Sequence, residues 1–267
     1  MSSYFNSYEA VPDEGGRERF MIKSLQASDV GVAEFKYEAM KKAFRKKYLL
    51  VGWDDKRVRR VHAILNKLVM GIYLGRQYRG GYWQLKVFEG KNPNSEKTPI
   101  AITVSPMNKI MVSTKTIEFF PSDSELARAI AREIVRTFLS HEYELQRGFI
   151  LFSWQPIVLL LFDWRLGLGT FFINLISTEV YCRLRKAKHH EEADRLGMRR
   201  AVTAGYPEQG ATMGLEKIAA ELGTRKKHSA VMKRELKLMP ERLAALKKLQ
   251  MEWGSNQKMS RVSNDPV

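Results

Sequence analysis

Residues 125–141 read Glu125-Leu126-Ala127-Arg128-Ala129-Ile130-Ala131-Arg132-Glu133-Ile134-Val135-Arg136-Thr137-Phe138-Leu139-Ser140-His141. About fifty residues later stands His190-Glu191-Glu192-Ala193-Asp194-Arg195-Leu196-Gly197. In the first stretch Leu126, Ile130, Ile134 and Phe138 recur at helical spacing. Ser122 or Asp123 offers an N-cap and Glu125 lies in the first turn, so a helix to about His141 is expected. Taken alone, Arg132-Glu133-Ile134-Val135-Arg136 is a solvated helix face whose ion pairs are worth ~0.3 to 0.5 kcal/mol each. His189 and His190, beside Lys188 and Glu191, read by default as exposed histidines, and His141 as a packing or capping one. What sets the stretch apart is its flanking small residues, Ala127, Ala129 and Ala131, and the second acidic stretch at this separation.

Outward from these helices the pattern is mixed. Ser24 to Leu50 is helical in period, and Asp54 to Tyr73 more clearly so, with Val58, Val61, Ile64, Leu65 and Leu68 on one face and Asp54 and Asp55 at its start. Gly75 to Gly81 breaks the period. Tyr82 to Phe88 then alternates as a strand does, and a polar loop follows from Gly90 to Thr98. Two more strands are expected at Ile100 to Val104 and Lys109 to Ser113, joined by the turn residues Ser105-Pro106-Met107-Asn108. On the C-terminal side, Gly148 to Phe162 and Leu166 to Thr178 are uncharged runs separated by Asp163 and Arg165. Neither reaches the ~18 to 20 residues of a membrane-spanning helix, and Pro156 breaks the first. The pair reads as a buried or interfacial helical hairpin over 148–178. Glu179 to Glu221 is helical again, with breaks at Gly205-Tyr206-Pro207 and at Gly210. The last helix, Ala230 to Trp253, carries Leu236, Met239, Leu243, Leu246 and Leu249 inside, and Pro240 should kink or split it. Three segments result: an N-terminal segment and helix over 1–53, a main domain over 54–253, and a polar, frayed tail over 254–267.

The 267 residues include 45 Lys+Arg and 29 Asp+Glu, and 45 − 29 leaves +16. At 44% hydrophobic and 28% charged, the chain can bury a core and is neither largely disordered nor a polytopic membrane protein. The single cysteine, Cys182, forms no internal disulfide and suits a reducing compartment. The basic residues are dispersed, and no helix-turn-helix, zinc finger or aromatic RNA-binding signature accompanies them, so nucleic acid is not expected as a partner and a basic nucleic-acid-binding protein, which nothing beyond charge favours, is the least favoured function class. The first twenty residues show no signal core or amphipathic leader.

The layout of the two stretches resembles the zinc metallopeptidase family that contains HtpX, the CAAX prenyl endopeptidase and the OMA-type peptidase of the mitochondrial inner membrane. There the first helix reads E-L-A-x-x-x-A-H-E-x-x-H-x-x-x-x-H and a later one E-x-E-A-D-x-x-G. Val11-Pro12 with Gly16-Arg17-Glu18-Arg19-Phe20 is similar to the V-P-x-T-G-R-x-R-F of OMA-type members, with one extra residue. Trp83 to Phe88 and Ala101 to Val112 resemble the family's first strand and its N-A-F-x-x-P-G-G-x-I-x-V hairpin. In that hairpin Ala101, Met107 and Asn108 stand for the Asn and the two glycines. Ala204-Gly205-Tyr206-Pro207 fits A-G-Y-D-P with the Asp deleted. The resemblance covers Val11 to Pro207, about three-quarters of the chain.

The resemblance implies an α+β fold, mostly helical, with a small β-sheet and the apolar hairpin. It also places the histidine ligands at Arg132 and Arg136, the catalytic base at Glu133 and the third ligand at His190. A guanidinium stays protonated and offers donors without a lone pair, so it cannot bind a cation as histidine does. Only the base survives, and with no zinc-bound water to activate it is idle. The expectation is a non-catalytic pseudo-peptidase without cofactor, its arginines paired with Glu133, Glu192 or Asp194 in place of the metal. Its groove, edged by Ala101, Ile102, Thr103 and Val104, would bind a peptide or protein segment, with membrane contact through 148–178. The alternative is an active zinc endopeptidase of protein quality control with His190, His141, Glu192 and Asp194 as atypical donors. The mitochondrial inner membrane is the compartment the resemblance implies, and the anchor that precedes V-P-x-T-G-R in OMA-type members is not expected here.

Overall fold

In the computed structural model the chain is mostly helical, with one small mixed sheet and a separate two-stranded ribbon, as the α+β expectation required. The structure describes residues 8–12, 18–22, 35, 37–39, 41–42, 45–70, 83–91, 99–105, 108–138, 157–158, 161, 163–224 and 230–262. They fall into two compact units: Met1–Leu139 with Gly197–Gly214, and Ser140–Leu196 with Leu215–Val267.

Among the described residues, the first unit holds all the strands. β1 (Tyr8–Pro12) and β2 (Glu18–Ile22) form an antiparallel ribbon with Val11 opposite Arg19. β3 (Tyr48–Leu50), β4 (Gln84–Gly90), β5 (Ile102–Ser105) and β6 (Lys109–Ser113) form a sheet in the order β3-β4-β6-β5. β4 and β6 run parallel, with Leu85 opposite Ile110 and Val87 opposite Val112; β3 and β5 are antiparallel to their neighbours. Ile110 to Ser113 are all buried, so β6 is covered on both faces and carries a continuous apolar run instead of an alternation.

α1 (Lys56–Met70) buries Val58, Val61, Ile64, Leu65 and Leu68, the stripe its period required. The Asp55 carboxylate accepts from the Arg57 N–H at 2.7 Å at its start. Near its end the Leu68 carbonyl accepts from Arg200 Nε and Nη2 at 2.9 and 2.7 Å. A short helix that the sequence analysis did not anticipate, α2 (Thr114–Phe119), follows β6 directly, because the Ser113 hydroxyl accepts from the Thr116 N–H and caps it. α3 (Asp123–Phe138) starts where expected and buries Leu126, Ile130 and Ile134. The Arg60 guanidinium locks the corner between α2 and α3. It donates to the carbonyls of Ile117, Phe120 and Pro121 and pairs with Asp123 at 2.6 Å.

Several expectations need correction. The helical reading of Ser24 to Leu50 holds for the described residues up to 47, but Tyr48–Leu50 is strand. Its pairing with Phe88–Gly90 and the packing of the Tyr48 ring on Phe88, centroids 5.2 Å apart, are long-range and leave no local signature. α4 (Trp164–Thr203) runs unbroken for 40 residues, so the second apolar run and the helix after it are one element. Its described apolar side chains between Leu168 and Leu184 are mostly exposed and not buried. The first arm of the expected hairpin lies outside the described residues apart from 157–158 and 161. Gly210 does not interrupt a helix; it lies in α5 (Gln209–Thr224), and a Cβ there would come within 2.5 Å of Ser124, so close packing selects the glycine. α6 (Ala230–Val262) is not split at Pro240 and extends through the expected tail. Past Gly254, Gln257, Lys258 and Met259 favour helix and no further proline intervenes before Pro266. Among the described residues no helix is long and apolar enough to cross a membrane.

Candidate functional site

Within the first unit the site is built on α3. Leu126, Ala127, Ile130, Ala131 and Ile134 bury one side of the helix, which sets Arg132, Glu133 and Arg136 together on its half-buried flank. Arg132 Nη1 donates to Glu133 Oε1 at 2.5 Å, and Arg136 Nη1 lies 3.0 and 3.3 Å from Oε2 and Oε1. Both carboxylate oxygens therefore accept from guanidinium. Two cations thus stand around one anion on this flank of the helix.

Next to this cluster lies the edge strand β5, with Ala101 just ahead of it. Ala101 is fixed by four contacts. Its N–H faces Thr116 Oγ1 at 2.8 Å and Ser113 Oγ at 3.3 Å; its carbonyl accepts from the Ser113 N–H at 3.0 Å and from Thr116 Oγ1 at 3.1 Å. In the antiparallel register with β6, Thr103 lies opposite Met111. Since Ala101 and Ser113 are bonded, alternation turns the backbone polar groups of Ile102 and Val104 away from the sheet. The Val104 carbonyl is met by the Thr137 hydroxyl of α3 at 3.3 Å, which ties the strand edge to the turn that follows Glu133. Asn108 takes φ 56°, a left-handed conformation that asparagine tolerates better than most other side chains. Gly197, the glycine of the second stretch, packs on α3: a Cβ there would sit 2.9 Å from Arg132 Cα.

In the second unit His189, His190, Glu192 and Asp194 are all buried on α4, contrary to the exposed default for the two histidines. Burial of so many titratable groups requires partners. Asp194 has one in Arg242 of α6, whose Nε donates to Oδ2 at 2.6 Å, with the two side chains only 2% and 6% exposed. Arg242 was not singled out in the sequence, since nothing local marks a charge 48 residues away as the partner. His141 lies outside the described residues.

The donor set does not fit zinc. Arg132 and Arg136 offer donors and no lone pair to a cation, and among the described residues no three His, Cys, Asp or Glu side chains converge to hold a metal ion. Neither a family model nor a curated protein matches the chain.

Proposed function

We propose that the chain is a non-catalytic homologue of the HtpX, CAAX prenyl endopeptidase and OMA-type zinc metallopeptidases, a pseudo-peptidase that binds a peptide or protein segment, with a regulatory role. The observation that carries this reading is the clasp of Glu133 between Arg132 and Arg136. The residue at the family's base position has both oxygens engaged by fixed cations, on the helix and at the spacing where the family holds its metal. The neighbouring strand supports the binding half of the reading. β5 is an edge strand with the Ile102 backbone groups turned outward, and an extended peptide adds to such an edge through main-chain hydrogen bonds. Residence at the mitochondrial inner membrane belongs to the same proposal.

Metal analysis and melting test it together. The purified chain is expected to contain no stoichiometric zinc, to leave casein uncut, and to melt at the same temperature with zinc, with chelator, or with neither. A metal bound to the native state, present at a hundredfold excess over its dissociation constant, would stabilise by ~2.7 kcal/mol. For a chain of this size that raises Tm by several degrees. Stoichiometric zinc that disappears in His190→Ala would establish the competing reading, an active endopeptidase with His190, His141, Glu192 and Asp194 as donors.

A further inference from the structure

We propose that the apolar side of α4 between Leu168 and Leu184 docks on an anionic lipid surface, with the helix lying in the plane of the interface. Leu168, Phe172, Ile176, Val180 and Leu184 follow one another at steps of four residues and are 43, 61, 66, 50 and 61% exposed. Successive residues at this spacing are neighbours on the helix surface, each turned about 40° further round the axis, so the five form a stripe about 24 Å long that winds part of the way round the helix. Phe171 and Ile173 are also exposed, on either side of Phe172. At about 100° per residue, three consecutive exposed side chains spread the apolar surface over an arc of roughly 200°. A protein groove grips a narrower stripe at fixed anchor positions, whereas the fluid boundary of a bilayer accepts the whole arc.

Charge selects the kind of surface. Between residues 164 and 188 the helix carries Arg165, Arg183, Arg185, Lys186 and Lys188 against the single acid Glu179. One cation precedes the apolar stripe and the other four gather at its far end, where long stems can reach the headgroup level while the apolar side is immersed. A second copy of the chain is the less suitable occupant, because a net charge of +16 opposes self-association. No described helix can span a bilayer, which leaves in-plane docking as the mode this element can adopt. The uncharged sequence Gly148 to Phe162 comes shortly before it. The inference deepens the membrane residence of the proposed function by naming the docking surface and the lipid class, and it is read out separately from zinc content.

The test is flotation of the full chain with vesicles of phosphatidylcholine alone and of phosphatidylcholine with phosphatidylserine in equal parts. The chain is expected to float with the anionic vesicles, to float far less with the neutral ones, and to be released by high salt. Phe172→Ser with Ile176→Ser should lower partitioning roughly tenfold or more while leaving Tm unchanged, since both side chains are exposed. Arg185→Gln with Lys186→Gln should weaken binding to the anionic vesicles alone. Equal flotation of wild type and the Phe172/Ile176 variant overturns the proposal. So does a lipid-free dimer that this variant dissolves, or wild type that floats with neither vesicle.

Discussion

Replacing Asp194 with alanine is expected to destabilise the chain by roughly 3 to 5 kcal/mol, the largest effect of any single substitution considered. The carboxylate and the Arg242 guanidinium meet at 2.6 Å with almost no exposure, so neither charge has bulk water to fall back on. Removing Asp194 takes from a buried guanidinium the carboxylate that its Nε donates to, and the Met239 sulfur, 3.8 Å from Nη1, is too weak an acceptor to replace it. An exposed pair would cost ~0 to 1 kcal/mol, so the size of the loss tells the two situations apart. Denaturant unfolding measures it. The double variant Asp194→Leu with Arg242→Met should recover much of the loss, because an apolar pair avoids the desolvation that the ion pair incurs. A loss below about 1 kcal/mol for Asp194→Ala would mean the two side chains do not meet in solution.

Gly197→Ala is expected to destabilise by ~1 to 3 kcal/mol, although alanine in a helix interior normally gains up to ~1 kcal/mol over glycine. The sign reverses because the added Cβ would stand 2.9 Å from Arg132 Cα and 3.0 Å from its backbone nitrogen, and backbone cannot move aside as a flexible side-chain tip can. Gly169 on the same helix is the internal control: nothing lies within 4 Å of its added Cβ, so Gly169→Ala should be neutral or stabilising. Measured by thermal melts on the two variants, opposite signs confirm the close approach of α4 to α3. Two stabilised variants would refute it. Because the contact falls on Arg132, the substitution should also disturb the clasp on Glu133, which links stability to the candidate site.

Much of the first unit was legible because its signals are local. The stripe Val58, Val61, Ile64, Leu65 and Leu68 is buried as its spacing required, and so are Leu126, Ile130 and Ile134. Strands β4, β5 and β6 lie close to where alternation and the Asn108 turn placed them. The failures share a cause. β3 continues a basic helical period and becomes a strand only through its partner Phe88–Gly90. α2 depends on the Ser113 side chain folding back to cap it. Pro240 was expected to kink or split α6, and the split does not occur; Met239 beside it and Arg242 two residues on are both buried.

The candidate site divides in the same way. That Arg132, Glu133 and Arg136 share one helical flank follows from spacing alone, and that the arginines cannot replace histidines on a metal follows from their chemistry. These needed no structure. Which acid each base chooses did need one. Glu133 is taken by both arginines on its own helix, while Asp194 is taken by Arg242, 48 residues away. Helical period is a property of neighbouring residues and is written in their order; the pairing of charges depends on which surfaces burial brings together. The exposed stripe on α4 makes the same point, since its apolar residues were plain in the sequence and only the fold showed that they stay largely exposed.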